Sequence, residues 1–430
     1  MSHKWTANTY TMLVEQRMVE ATSDVQTLPW LISHNNVNLP MRIFSQRLHN
    51  QSHFFSGCAA TVWVLPAAAA LPISFNSELQ IHRAEGIQEQ FSYAKLLNGS
   101  PLIHQRIQKQ YVHHVLQFLL NSPDFGDYSK RDDEYFKPPP PVNLLACGPE
   151  NVVKQHILRT INQEEASYEG NDKAIEELFR QLGMSSEEEQ QKTGKERVIA
   201  WVGDQLTVEW LHGLFRYRYE DFNAFDRMDY MLPVFGWFHL QMAFANSLHK
   251  QYLGTAAVVG SLQQAFDVLQ RKGLQKSETK GPFWHHLHEA IHHVGEAHIR
   301  ASWLAVAEVD SLAKLKDRSP AELSELATRL VDEQASQKGL ARMSNTPLKD
   351  WDAVLMQSIM FNHDILSYIE LSAAMKCGDI GHMEDLLPTL LFRFAGGGNS
   401  KYTIEVLELL QGLRQEWPED IRCVTPSSSS

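Results

Sequence analysis

The sequence predicts a helix-rich α+β protein with a small buried sheet, and three observations predict this class. Hydrophobic residues make up 43% of the 430 residues and charged residues 21%, a balance typical of a folded chain. Long stretches carry apolar residues at helical spacing, whereas only a few short apolar runs are typical of strands. Polar or proline-rich breaks separate these stretches and predict loops.

The strand candidates are short apolar runs bounded by polar residues. The clearest is 198–202, VIAWV, because a continuous apolar run suits a strand that is buried on both faces. Three other runs, at 61–65, 142–147 and 231–238, have the same character.

Helices account for most of the remaining pattern, since apolar residues recur there every three or four positions. The predicted helices lie near 84–96, 101–120, 150–162, 171–183, 240–252, 260–272, 283–313, 320–338, 350–376, 382–394 and 401–415.

Composition along the chain predicts four segments. Residues 1–50 are an N-terminal extension, and 51–141 form a helical region that ends in a linker with four consecutive prolines, which neither a helix nor a central strand accepts. Residues 142–415 form the core domain. Residues 416–430, which end in four serines, form a disordered tail.

Net charge and cysteine content indicate which binding partners and which cellular compartment the sequence favours. The net charge of −12 opposes nonspecific attraction to nucleic acid or to anionic membranes. The four cysteines form no CxxC pair, so we expect reduced thiols. The beginning of the chain lacks the apolar core of a signal peptide, and prolines interrupt the most apolar run, 58–73. These features predict an intracellular protein, nuclear or cytoplasmic, with no membrane partner.

A histidine-rich stretch, 284–300, raises the possibility of zinc chemistry. Its sequence, WHHLHEAIHHVGEAHIR, places His288, Glu289, His292, Gly295 and His298 at the spacing H-E-x-x-H-x-x-G-x-x-H. In metzincin proteases the three histidines of this motif hold Zn²⁺ and the glutamate is the general base.

The residues after Gly295 favour a different interpretation. A metzincin helix ends at its glycine, whereas EAHIRASWLAVAEV contains good helix formers and no breaker. In a continuous helix, His298 would point roughly 80° away from His288 around the axis. The segment 358–361, SIMF, resembles a metzincin methionine turn but lies in a long predicted helix. We therefore favour a polar helix face with exposed histidines, and a zinc hydrolase is the third hypothesis.

An aspartate directly after the clearest strand carries the first hypothesis. Asp204 follows the run at 198–202, at the carboxyl end of a central strand, where nucleases of the RNase H type hold Mg²⁺ with carboxylates from separate elements. The alternative role for Asp204 is to cap the following helix.

Three stretches resemble an uncharacterised, mainly fungal family known as domain of unknown function 6589. They are WVGDQLTVEWLHGLFRYRYED, DRMDYMLPVFGWFHLQMAFANSLHKQYLGT and LFRFAGGGNSKYTIEVLELLQGL. The resemblance spans roughly 50–415 and is most specific in the middle third. Families of this kind expand in fungal genomes like mobile elements, and by analogy the resemblance implies a transposase-like RNase H core.

Such a core implies catalytic carboxylates at Asp204, Glu405 and Glu165, with Mg²⁺ as the cofactor and nucleic acid as the substrate. The alternative for Glu405, and for Glu408 on the same predicted helix, is a solvated helix face. A further strand edge at VFGWFHLQM carries Trp237 and His239 where an acid would help, which is a departure from a three-carboxylate site. The second hypothesis is therefore a catalytically inert protein that keeps the fold to bind protein partners.

Overall fold

The computed structural model divides the chain into two compact units, each assembled from separate stretches of sequence. The sheet unit comprises Met1–Phe91, Ala146–His239 and Ile404–Ser430, and the helical unit comprises Ser92–Leu145 and Leu240–Thr403. The structure describes residues 3–41, 53–66, 76–88, 91, 92, 94, 96, 100–163, 167–274, 283–347, 349 and 351–422.

A five-stranded mixed sheet forms the centre of the sheet unit. Its strands are β1 (Trp30–Met41), β2 (His53–Val64), β3 (Lys154–Ile157), β4 (Ile199–Gly203) and β5 (Met231–Phe235). The spatial order is β3-β2-β1-β4-β5. β1 pairs antiparallel with β2, and β2 with β3, whereas β4 is parallel to both β1 and β5.

Both faces of β4 are covered, which explains its continuous apolar sequence. Every residue of β4 is buried. Trp201 and Ile199 face the larger apolar cluster, together with Ile32 of β1, and Ala200 and Val202 face a smaller cluster on the other side. The helix-rich α+β class predicted from the sequence is confirmed.

Helices of the sheet unit precede, separate and follow its strands in the chain. They are α1 (His3–Thr27), α2 (Asn76–Gly86), α4 (Tyr168–Gln181), α5 (Glu187–Glu196), α6 (Gln205–Arg218) and α15 (Glu419–Arg422), with α14 (Ser400–Gln411) extending into a π turn at Gly412–Glu416. Leu178 and Phe179 of α4 and Leu211 of α6 lie in the larger apolar cluster, so one face of the sheet is packed against helices.

The helical unit is built around one long helix, α12. Its helices are α3 (Pro101–Leu120), α8 (Leu262–Val268), α9 (Phe283–Ala307), α10 (Pro320–Gln334), α11 (Gln337–Ser344), α12 (Ala353–Cys377) and α13 (Ile380–Gly396); most of α7 (Trp237–Tyr252) also belongs to it. Leu119, Trp303 and Leu330, from three of these helices, share a single apolar core. Capping is extensive, and Ser319 and Glu322 form a reciprocal capping box at the start of α10.

Three secondary-structure predictions were wrong. The segment 142–147 forms an isolated bridge from Leu144 to Asp379 instead of a strand. The Asp379 carboxylate accepts the backbone N–H groups of Val142 and Asn143, both at 3.0 Å, and this ties the segment to α13. Residues 150–162, predicted as a helix, contain a 3₁₀ turn and the edge strand β3. The strand predicted at 231–238 ends at Phe235, and α7 begins at Trp237.

Two smaller observations bear on the predicted environment. No helix among the described residues is long and apolar enough to cross a membrane. Cys58, Cys147 and Cys377 are free thiols, and Cys423 lies outside the described residues.

Candidate functional site

Two polar residues lie just beyond the point where the parallel pairing of β1 with β4 ends. The paired residues Ser33 and Val202 set the register, and Asn35 and Asp204 each follow two positions later. The backbone of Asp204 is still extended, with φ −71° and ψ 173°, so strand alternation directs both side chains to the same face. In open α/β sheets, ligands bind outside the carboxyl ends of parallel strands. We call this pair, Asn35 and Asp204, the strand-end site.

The strand-end site offers one carboxylate and one amide. Asn35 is exposed and Asp204 is half-buried. One carboxylate oxygen of Asp204, Oδ1, accepts the backbone N–H of Thr207 at 2.8 Å and so caps α6. The amide oxygen of Asn35 accepts the backbone N–H of Asn36 at 2.9 Å. The capping role considered for Asp204 is therefore real, and of the two side chains of the strand-end site only Asp204 carries a formal negative charge.

On the opposite face of β1, His34 adds no charge to the site. Its ring is buried, and Trp201 Nε1–H donates a hydrogen bond to His34 Nδ1. A second side-chain hydrogen bond joins His34 to Asn171. Burial lowers the pKa of His34 to about 4, although the nearby charge of Asp204 acts in the opposite direction. The imidazole is therefore neutral at neutral pH.

Glu405 lies in a separate cavity of the sheet unit. It is 4% exposed, so the solvated helix face considered as an alternative for this residue is wrong. Its Oε2 lies 3.5 Å from His212 Nδ1 on α6, and burial lowers the pKa of His212 to about 4. His212 lies eight residues after Asp204, about 12 Å along the helix axis.

The cavity beside Glu405 has a volume of about 240 Å³ and collects three glutamates around one arginine. Arg83 donates hydrogen bonds to the carbonyl oxygens of Met231 and Asp229, at 3.1 and 3.3 Å. Burial raises the pKa of Glu408, with a further contribution from Glu416. Arg83 therefore holds the beginning of β5 in place and partly neutralises the acids around it.

Two other predicted positions bear on a carboxylate site. Glu165 lies outside the described residues. Trp237 is 2% exposed and belongs to the first turn of α7, as does the more exposed His239. These two residues therefore begin a helix rather than end a strand.

The histidine-rich stretch belongs to a continuous helix, as the residues after Gly295 predicted. α9 runs through Gly295 to Ala307. The rings of His288 and His292 lie 4.5 Å apart, whereas His298 packs on Phe361 with ring centroids 4.7 Å apart. Within the described part of the chain, no three His, Cys, Asp or Glu side chains are arranged to hold a metal ion. The metzincin geometry is not formed.

Glu289 and Gly295 have structural roles in this helix. Glu289 is half-exposed and forms an ion pair with Arg271 at 3.1 Å. A Cβ atom at Gly295 would collide with the side chain of Ile365 on α12. The glycine therefore allows α9 and α12 to approach closely, and this explains why it occurs in a helix interior.

Asn35 was missed in the sequence because strand β1 was missed. The polar run SHNNVN in WLISHNNVNLPM interrupts the apolar alternation expected of a strand. The observation that would have revealed it is the position of this run, directly after three apolar residues, Trp30, Leu31 and Ile32.

The fold and the strand-end site define a helix-rich α+β protein with two polar side chains beside its parallel strands. A match to the family of unknown function DUF6589 covers residues 87–428, and the chain belongs to this family. Asp204 and Glu405 lie inside the matched range and Asn35 precedes it. No curated protein and no solved structure matches the chain.

Proposed function

We propose that the sheet unit is an RNase H-like core of mobile-element descent that acts as a catalytically inert interaction module. The strand order supports this fold: a three-stranded antiparallel part, β3-β2-β1, continues into the parallel strands β4 and β5, as in RNase H-like nucleases. The free thiols of the described cysteines fit a reducing, intracellular setting.

The pairing of Asn35 with Asp204 carries the proposal. Hard divalent cations such as Mg²⁺ require oxygen ligands, and nucleases of this class supply several carboxylates to one or two ions. Asn35 has nearly the shape of aspartate and offers a carbonyl oxygen, but it lacks the negative charge. His34, the next ionisable group, is neutral and committed to Trp201 and Asn171. The described residues at this edge therefore do not fit a two-metal site.

Restoring the missing charge tests the proposal. Asn35→Asp should bind Mn²⁺ about tenfold more tightly than the natural chain, because a second carboxylate joins Asp204. Titration calorimetry on the full chain measures the affinity. The matched control is the double variant Asn35→Asp with Asp204→Ser, in which serine keeps the helix cap but removes the retained carboxylate. Equal affinities in all three proteins would contradict the proposed site.

A second candidate function is an active Mg²⁺-dependent nuclease that uses Asp204 and Glu165, without Glu405, which lies in its own cavity beside His212. The half-buried carboxylate of Asp204 at the carboxyl end of β4 favours it, because ligands bind outside the carboxyl ends of parallel strands. Incubation of plasmid DNA with the natural chain and Mg²⁺ separates the two candidates. Cleavage that is lost in Asp204→Ser but kept in Asp352→Ser would support the nuclease and overturn the inert module.

Asp352 is a suitable control because it makes the same kind of contact as Asp204. It caps α12 in the helical unit, where its Oδ1 accepts the backbone N–H of Leu355 at 2.9 Å. A cleavage defect that arose only from a weakened helix cap would therefore appear in both variants. Absence of cleavage by the natural chain is the result expected from an inert module.

A further inference from the structure

A large cavity lies inside the helical unit, remote in sequence from the strand-end site. Its volume is about 650 Å³, within the range of small-molecule sites, roughly 300–1,000 Å³. Residues of α3, α10, α11, α12 and α13 line it. Its walls combine apolar side chains with a few charged ones, the composition typical of ligand sites.

One wall of the cavity contains Arg393, whose ion-pair partner, Asp364, is fully buried. Arg393 lines the cavity and has 20% of its side chain exposed. Its partner, Asp364, is 0% exposed and lies behind it, where it also accepts the hydroxyl of Tyr252 at 2.7 Å. His363, with ring nitrogen Nδ1 3.4 Å from Arg393 Nη2, stands beside the guanidinium. A ligand in the cavity would therefore meet the arginine and not the buried aspartate.

The carboxylate that lines the cavity, Asp332, already has hydrogen-bond and ion-pair partners. Asp332 Oδ1 accepts a hydrogen bond from Gln108 Nε2 at 2.7 Å, and Lys338 Nζ lies 3.4 Å from the same carboxylate. Lys338 remains largely exposed, with 67% of its side chain accessible. Of the Asp, Glu, Lys and Arg side chains that line the cavity, two are cationic, Arg393 and Lys338, and one is anionic, Asp332.

The N-terminus of α11 reinforces this potential. Ser336 caps this helix and, with Gln337 and Lys338 of its first turn, lines the cavity. The partial positive charge at a helix N-terminus favours a negative group nearby. Ile107, Val331 and Phe392 supply an apolar wall, which suits a ligand with an apolar body.

We infer that this cavity binds a small organic anion, with its carboxylate held near Arg393 and the first turn of α11 and its apolar body against Ile107, Val331 and Phe392. The inference is independent of the proposed function of the sheet unit, because every residue that it uses belongs to the helical unit.

A matched pair of probes tests the inference: naphthoate, an aromatic carboxylate, and naphthamide, its uncharged analogue. Titration calorimetry on the full chain should show saturable binding of naphthoate at least about fivefold tighter than that of naphthamide. Added salt should weaken naphthoate binding more than naphthamide binding, since ions screen partly exposed charges.

Two exposed positions allow the charge to be changed without opening the core. Gln337→Glu and Lys338→Gln should each weaken naphthoate binding about threefold and leave naphthamide binding within about twofold. Lys130→Gln removes the same charge from an exposed position in this unit that does not line the cavity, and it should change neither affinity.

A blocking variant locates the bound probe. Thr389 is half-buried and lines the cavity, so Thr389→Trp should abolish binding of both probes while circular dichroism shows an unchanged fold. Naphthoate that binds no more tightly than naphthamide, or both Gln337→Glu and Lys338→Gln leaving naphthoate affinity unchanged, would overturn the inference. Undiminished binding to a folded Thr389→Trp chain would also overturn it.

Discussion

One acid of the sheet unit, Asp204, and two acids of the helical unit, Asp364 and Glu370, lie in opposite environments. Asp204 stands half-buried directly after β4. In the helical unit, Asp364 and Glu370 lie in the interior of α12 and are 0% and 2% exposed. Each has partners from other helices: Arg393 for Asp364, and His114, at 2.6 Å, for Glu370.

This difference in burial distinguishes ionisable groups that a ligand can reach from ionisable groups that hold helices together. A charge at a sheet edge keeps its hydration and needs no partner, whereas a buried charge is tolerated only when it is paired. The polar residues of α12 therefore specify which helices pack against it. Asp204, by contrast, is partly exposed and remains accessible to an external ligand.

Breaking a buried pair should give the largest effect. Arg393→Ala leaves Asp364 charged and unpaired in the core, so the free energy of unfolding should fall by about 3–5 kcal/mol. Arg342→Ala is the control, because its ion pair with Glu333 is exposed, and it should cost at most about 1 kcal/mol. Urea unfolding measures both, followed by two spectroscopic probes because the chain has two units. Similar losses would show that burial of the pair has no special role.

Acid should destabilise the sheet unit through His34. Its pKa is lowered to about 4 in the folded chain from 6.5, so between these values only the unfolded chain takes up the proton, and stability falls as pH decreases. The contribution of His34 reaches about 3 kcal/mol at pH 4. His34→Gln should flatten the pH dependence of the unfolding free energy by up to that amount. An unchanged slope would contradict the assigned burial.

The same measurement in the helical unit sharpens the comparison. Burial, together with the neighbouring His288, lowers the pKa of His292 to about 4, so His292→Gln should also reduce the loss of stability between pH 6.5 and 4. If only one of the two variants changes the slope, acid sensitivity belongs to that unit.

A substitution at the close contact between α9 and α12 should cause an intermediate loss of unfolding free energy. Gly295→Ala should lower the free energy of unfolding by about 1–3 kcal/mol, because the new methyl group collides with Ile365. Alanine is the better helix former by about 1 kcal/mol, so a stabilised variant would mean that the helices do not pack this closely. Adding Ile365→Val should recover part of the loss.

The smallest expected loss of unfolding free energy comes from removing one helix cap in each unit. Asp204→Ala and Asp352→Ala each remove a carboxylate that accepts a backbone N–H of the first turn, and each should cost about 1 kcal/mol of unfolding free energy. Asp204→Ser should restore most of the stability. A much larger loss in Asp204→Ala would reveal a further structural role for its carboxylate.

The sequence predicted those strands and helices whose formation depends on apolar spacing and helix propensity within the segment itself. The strand at 198–202 and the unbroken helix through Gly295 follow from apolar runs and helix propensity, and both are confirmed. Asp204 was recognisable as a strand-end acid for the same reason. Strand β1 escaped because polar residues such as His34 and Asn36 interrupt its alternation, and β3 is only four residues long.

The rest of the site depends on contacts between distant parts of the chain. Asn35 can be recognised as a site residue only from the register of β1 against β4. That pairing joins residues far apart in sequence. Likewise, Glu405 looked solvent-facing because α14 is amphipathic, but its contact with His212 buries it. A single sequence has no local feature that encodes either pairing.

The order of the strands along the chain also affects synthesis. β1 and β2 leave the ribosome before β4, which covers the other edge of β1 and begins roughly 160 residues after β1 ends. At about 5–20 residues per second, that edge stays open for about 8–30 s. An unpaired edge is a template for pairing with another chain. Nascent chains of this protein therefore pass through an interval in which a chaperone that covers β1 would raise the yield of folded molecules.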